Sequence, residues 1–131
     1  MKNIPQHQKI MVVEEEQNIA SSTKLTLEAN HFTAEIFTDP SLALAEFKKG
    51  SGDYNLIILD MKMLHMSAFN FMKEIKIKKP DIKILLITTF EVNPLEFNSI
   101  LPTVKIEGLV EKQYLADKII PSINKILGLS N

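Results

Sequence analysis

The most constraining feature of this sequence is a regular alternation of short apolar runs with amphipathic segments. Runs of strand length lie at residues 10–13, 33–37, 56–59, 82–87 and 106–110. A continuously apolar run is typical of a parallel strand buried on both faces, whereas 33–37 alternates as an edge strand does. The alternation therefore predicts an α/β fold, in which a five-stranded parallel sheet carries helices on both faces.

The segments between the runs predict five helices. These helices cover residues 17–29, a stretch from Asp39 to just before Gly50, 67–79, a weaker stretch around 94–101, and about 115–127. Helical spacing predicts the following inward-facing residues: Ile19, Thr23 and Leu27; Leu42, Ala45 and Phe47; Phe71, Met72 and Ile75. Asn30 tolerates the left-handed conformation that ends many helices. Pro121 falls inside the last helix, so we expect a kink or a late start there.

Composition limits the class of protein. The chain has 131 residues, 45% of them apolar, and a formal net charge of −1, which fits one domain (residues 1–131, core about 9–128). Every basic residue is a lysine, so there is no arginine for bidentate recognition of guanine or phosphate. Cysteine is absent, which excludes disulfides and thiolate chemistry. We expect a soluble, cytoplasmic, free-standing domain with no nucleic-acid or membrane partner.

Polar residues follow the predicted strands at their carboxyl ends, where doubly wound sheets carry their functional groups. These residues are Glu14, Glu15, Glu16, Asp60, Thr88, Thr89 and Lys112. Crowded carboxylates repel one another unless a cation intervenes, and Mg²⁺ accepts one or two carboxylates together with water and phosphate oxygens. A carboxylate can also take a phosphoryl group as an acyl phosphate, while a hydroxyl and an ammonium can stabilise the transferring oxygens.

The motifs at these strand ends resemble one known family. KIMVVEEEQNI is similar to the first strand and acidic pair of response-regulator receiver domains, and YNLIILDMKMLHMSAFNFMKEIK to their phosphoacceptor strand, loop and third helix. KILLITT resembles the strand with the switch threonine, and GLVEKQYL the strand with the essential lysine. The resemblance extends over about residues 9–127. It implies a flavodoxin-like, CheY-like (βα)5 fold with strand order 2-1-3-4-5.

The resemblance also implies a role for each site residue. Asp60 would be the phosphoacceptor, and Thr88 and Lys112 would bind the phosphoryl oxygens. Mg²⁺ would be bound by Glu15, Asp60 and the backbone carbonyl of Lys62, with Glu14 acting through water.

A histidine kinase or phosphotransfer protein would donate the phosphoryl group, in a two-component system. The phosphoprotein would signal to an unidentified downstream protein through the face made by the predicted helix 94–101, the fifth strand and the last helix. The same face is a candidate homodimer contact. The chain would not be an enzyme, beyond assisting its own phosphoryl transfer and dephosphorylation.

The sequence departs from the family pattern at several positions. Both acids of the pair are Glu, and the added methylene moves a carboxylate by about 1.5 Å, so magnesium affinity is expected to be weak. Leu109 stands where an aromatic side chain usually reports the position of the threonine. Leu64, Ala68 and Gln113 replace a loop proline, a glycine and the proline after the lysine. With Gln113 there, we expect a trans peptide.

Three alternatives to a phosphorylated receiver use the same kind of strand end or fold. A pseudo-receiver, acting as a phosphorylation-independent interaction module, is favoured by the Glu pair and Leu109 and opposed by Asp60, Thr88 and Lys112. A phosphatase of the haloacid-dehalogenase class needs a second Asp where Lys62 stands. A flavodoxin-like FMN site would put phosphate beside three glutamates, which would repel it.

Residues outside these motifs are given surface or packing roles. His65 is expected to be a surface loop histidine rather than a metal ligand. The lysine-rich stretch 73–83 is interpreted as a solvated helix face, and Met61, Met63 and Met66 as loop packing.

Overall fold

A computed structural model of the chain describes residues 8–50, 53–89 and 104–129. The strands are β1 (Lys9–Val13), β2 (Thr33–Phe37), β3 (Leu56–Asp60), β4 (Lys83–Thr88) and β5 (Gly108–Glu111). They form one parallel sheet in the order β2-β1-β3-β4-β5, which confirms the predicted fold class and strand order. The apolar runs of β1, β3 and β4 are buried, as expected of the central strands of a parallel sheet, and every residue of β3 is buried.

The helices are α1 (Gln17–Ala29), α2 (Pro40–Lys48), α3 (Ala68–Lys78) and α4 (Leu115–Leu127). The predicted helix around 94–101 lies outside the described residues, and the numbering omits it. No helix within the described ranges is long and apolar enough to span a membrane.

The last strand and helix differ slightly from their predictions. Strand β5 begins at Gly108 rather than at residue 106, and a 3-10 turn (Lys112–Tyr114) separates it from α4. Helix α4 begins at the predicted residue and continues through Pro121, so the alternative of a late start is wrong and the kink stays a prediction.

The core consists of two apolar layers, one on each face of the sheet. Alternating strand residues divide between them, because successive side chains of a strand point to opposite faces. One layer joins α2 and α3 to strand residues such as Val13 and Leu59. The other joins α1 and α4 to residues such as Val12 and Ile58. This division also orients the residues that follow the strand ends.

Two sequence predictions about the helices are wrong in detail. In α2 the buried residues are Pro40, Ala43 and Phe47, whereas Leu42 is 63% exposed and Ala45 is exposed. The helix begins at Pro40, and the series i, i+3, i+7 from that residue faces the sheet. After α1 the left-handed residue is His31, with φ 72°, rather than Asn30, whose side-chain amide donates to the carbonyl oxygen of Thr26.

Tyr54 joins the edge strand to the centre of the sheet at the end opposite to the functional groups. Its ring is 1% exposed and stacks on Phe47, and its hydroxyl donates a hydrogen bond to the Glu35 carboxylate. The Lys9 ammonium lies 4.9 Å from the ring centroid and 3.5 Å from a Glu35 oxygen. Burial and the adjacent Glu35 raise the pKa of Tyr54, so the phenol remains a hydrogen-bond donor.

We predict that Tyr54→Phe lowers the free energy of unfolding by about 1–2 kcal/mol, since Glu35 loses a donor but is exposed enough to regain water. Urea unfolding of both proteins measures this. Tyr114→Phe is the matched control, because Tyr114 is 44% exposed and should change stability by less than about 0.5 kcal/mol. Equal effects of the two substitutions would contradict the role given to the Tyr54 hydroxyl.

Candidate functional site

The carboxyl ends of neighbouring strands bring the predicted site residues to one edge of the sheet. Glu14 directly follows β1, and Asp60 and Thr88 are the last residues of β3 and β4. Lys112 follows β5, whose last residue, Glu111, is in register with Thr88. Glu14, Asp60 and Thr88 are buried, with exposures between 3% and 5%. The edge therefore holds acids, a hydroxyl and an ammonium that are largely withdrawn from water.

Asp60 is held at both of its carboxylate oxygens. The backbone N–H of Lys62 donates to Oδ1 at 3.0 Å, and the ammonium of Lys112 donates to Oδ2 at 3.1 Å. The sheet hydrogen bonding continues past Asp60, where the N–H of Met61 donates to the carbonyl of Ile87 at 2.8 Å. These contacts fix the carboxylate at the start of the loop that links β3 to α3.

Lys112 bridges the two buried acids of the site. Its Nζ lies 3.1 Å from Asp60 Oδ2 and 3.2 Å from Glu14 Oε1. Burial would lower the pKa of Lys112, but the hydrogen bonds and charges of Asp60 and Glu14 outweigh burial and raise it. The ammonium is therefore a stable positive charge between two carboxylates.

The pKa of Glu14 is raised by its surroundings. Burial, together with the charge of Asp60, raises the pKa of Glu14, although the N–H of Glu16 donates to its Oε2 at 3.0 Å and Lys112 opposes the shift. A buried carboxylate of this kind binds a further cation readily, because a positive charge relieves both its desolvation and its repulsion from Asp60.

Glu15 points away from this cluster, toward the loop after β3. Its Oε1 accepts from the N–H of Leu64 at 2.9 Å, and its Oε2 accepts from the N–H of His65 at 3.2 Å. The same Oε2 lies 3.1 Å from Nδ1 of the His65 ring. Partial burial alone would raise the pKa of Glu15, but these hydrogen bonds outweigh it and lower the pKa.

The two glutamates that follow β1 diverge. Glu14 and Asp60 line one small cavity with Val12 and Ile58, on the side of the sheet that carries α1 and α4. Glu15 instead contacts the loop whose Met63 and Met66 pack against the other apolar layer. The contact between Glu15 and His65 was not predicted from the sequence. The two features that could have indicated it are the length of the Glu15 side chain and the backbone N–H of Leu64.

The other site residues are placed as follows. Lys62 is exposed, and the magnesium-binding role of its carbonyl stays a prediction, as do the phosphoryl-binding roles of Thr88 and Lys112. Leu109 is 37% exposed on β5. No peptide bond in the described part of the chain is cis, so the bond before Gln113 is trans, as predicted.

The carboxylates of Asp60 and Glu14 fit a magnesium ion by their chemistry, since Mg²⁺ commonly takes one or two carboxylates plus water and phosphate oxygens. Within residues 8–50, 53–89 and 104–129, no three His, Asp or Glu side chains are grouped closely enough to hold a metal ion by themselves. The predicted direct role of Glu15 stays a prediction, and in the observed arrangement Glu14 is the residue beside Asp60.

Comparison with known proteins agrees with the fold and the motifs. The chemotaxis protein CheY4 of Vibrio cholerae is 24% identical, and its structure superimposes with a TM-score of 0.83 over 92% of this chain and 99% of that chain. The response regulator TrrA of Thermotoga maritima, solved in complex with Mg²⁺ and BeF, is 30% identical, with a TM-score of 0.76 over 92% and 99% of the two chains.

A relative of greater length is the sensory transduction protein RegX3 of Mycobacterium tuberculosis, which is 25% identical over 123 residues. The match covers 90% of this chain and 50% of RegX3, so the chain spans about half the length of this relative. The family of the response regulator receiver domain matches residues 10–124. The family match and the strand order agree, and the chain belongs to the response regulator receiver domain family.

Proposed function

We propose that this receiver accepts a phosphoryl group on Asp60, with Mg²⁺, from a histidine kinase or phosphotransfer protein of a two-component system. The observation that carries the proposal is the Lys112 ammonium, held between the buried carboxylates of Asp60 and Glu14. A lysine with only a surface role would be solvated, whereas the Lys112 ammonium lies between two buried carboxylates. An ammonium beside a nucleophilic carboxylate can stabilise the negative charge that phosphoryl transfer brings to the site.

The proposed reaction uses the groups at this edge directly. A carboxylate oxygen of Asp60 attacks phosphorus, a new O–P bond forms, and the bond from phosphorus to the donor's leaving group breaks with its electron pair. Lys112 pairs with one phosphoryl oxygen and the Thr88 hydroxyl donates to another. Bound Mg²⁺ would supply positive charge that screens the phosphoryl oxygens from Asp60 and Glu14.

The wider role follows from the same assignment. The chain would act in the cytoplasm as a switch rather than as an enzyme, beyond assisting its own phosphorylation and dephosphorylation. Its output would be a protein contact through the face that includes β5 and α4, where Leu109 and Tyr114 are exposed. A homodimer through this face is part of the same proposal.

Two observations favour a second candidate, the phosphorylation-independent pseudo-receiver. Both oxygens of Glu15 are occupied by the loop, and Leu109 offers no aromatic ring to follow the position of Thr88. Such a module would use the same face for binding without magnesium or phosphate.

We predict that incubation of the protein with Mg²⁺ and acetyl phosphate adds one labile phosphoryl group, detected by intact mass. Acetate leaves as Asp60 forms the acyl phosphate. Asp60→Asn and an EDTA control should show no adduct, whereas Asp81→Asn, which changes an exposed Asp at the other end of β4, should be labelled like wild type.

An adduct on Asp60→Asn would place the phosphoryl group elsewhere. Absence of any adduct, together with absence of magnesium binding, would replace this proposal with the pseudo-receiver.

We predict that Lys112→Met slows formation of the acyl phosphate by at least about 100-fold, the order of effect of removing one donor from a transition-state site. The initial rate of adduct formation with acetyl phosphate measures this, with folding checked by circular dichroism. Lys118→Met is the control, because Lys118 is an exposed lysine of α4 and should leave the rate unchanged. Similar rates for Lys112→Met and wild type would remove Lys112 from the mechanism.

A further inference from the structure

Glu15, in the turn after β1, and Leu64, in the loop after β3, meet in a hydrogen bond. We propose that Glu15 is a positioning residue, which ties the loop of residues 61–67 to the turn after β1, rather than a direct ligand of the metal. The inference deepens the proposed function, on which its consequence for magnesium rests. The contact itself can be tested without phosphorylation or metal.

Glu15 is engaged with the loop at both of its oxygens. The N–H groups of Leu64 and His65 donate to Oε1 and Oε2 at 2.9 and 3.2 Å, and the His65 ring nitrogen adds a third contact at 3.1 Å. The Glu15 side chain is 16% exposed, whereas that of His65 is 75% exposed. The carboxylate is thus covered by the loop, and two consecutive backbone N–H groups donate to it.

The length of Glu15 is needed for this contact. An Asp carboxylate at this position would be displaced by about 1.5 Å, which is enough to break hydrogen bonds of ordinary length. Glu rather than Asp at position 15 is therefore what reaches the loop.

Leu64 supplies the other half of the contact. Its side chain is 85% exposed, so it adds little packing, but its backbone N–H makes the shortest of the three contacts to Glu15. A proline at this position would have no N–H to donate. Two residues that are 49 positions apart are thus complementary, since Glu15 provides the reach and Leu64 the donor.

The two glutamates therefore have different roles. Glu14 lies beside Asp60 and Lys112, where it can share a cation with Asp60. Glu15 holds the loop that begins at Met61, and its oxygens would have to leave both N–H groups before they could bind a metal. The loop is therefore ordered by a protein carboxylate before any ion or phosphoryl group binds.

We predict that amide hydrogen exchange, followed by NMR in metal-free buffer, is slow at Leu64 and His65 in the wild-type protein. Glu15→Asp should speed exchange at both amides by at least about tenfold, because the shortened side chain no longer accepts from them. The control Glu16→Asp shortens an exposed neighbour and should change neither amide. Unchanged exchange in Glu15→Asp would overturn the proposal.

A second comparison uses the donor side and the proposed metal. Leu64→Pro deletes the N–H, whereas Leu64→Ala keeps it, so only Leu64→Pro should speed exchange at His65. In magnesium titrations, Glu14→Gln should weaken binding by at least about tenfold and Glu15→Gln by less than about threefold. The reverse order would make Glu15 the ligand and overturn the proposal.

If the wild-type protein binds no magnesium, the proposed phosphorylation fails. The exchange rates at Leu64 and His65 then still decide the role of Glu15, so the two failures are distinguishable.

Discussion

The functional edge of this protein depends on one buried charge arrangement, the ammonium of Lys112 between Asp60 and Glu14. Two carboxylates at this depth would repel each other and lose their hydration, and a single cation relieves both costs. The arrangement exists because parallel strands deliver their carboxyl ends to the same edge, and β1, β3, β4 and β5 do so in register. Any further negative charge at this edge, such as that of a phosphoryl group, therefore requires further positive charge to balance it.

Much of this could be predicted from the sequence because the apolar runs are continuous and separated by helix-length segments. The ends of the strands follow from those runs, so Asp60 and Lys112 could be assigned to one edge of the sheet from the sequence alone. Side-chain orientation on a short helix was less predictable. In α2 several apolar residues compete for the inward face, and the start of the helix at Pro40 decides in favour of Ala43 over Leu42.

The separation of Glu14 from Glu15 could not be predicted, since it depends on contacts distant in sequence. Three consecutive glutamates look equivalent in a sequence, and only their contacts with Lys112 and with the loop distinguish Glu14 from Glu15. Glu15 accepts hydrogen bonds from two backbone N–H groups. Nearly every residue has such a group, so the sequence does not indicate which ones Glu15 contacts. The absence of proline at Leu64 was visible, but its meaning required knowing that residue 64 lies beside residue 15.

The two glutamates together suggest how a receiver can change its acidic pair and keep its edge. The negative charge at the edge depends on how many carboxylates lie beside Lys112. Asp60 and Glu14 lie beside it, whereas Glu15 contacts the loop. Loop position is a separate requirement, because the carboxylate of Asp60 is held from one side by the N–H of Lys62 within the same loop. A side chain that holds the loop at Leu64 and His65 thereby also limits where Lys62 can lie. Glu15 can thus act on the geometry of Asp60 without adding a charge beside it.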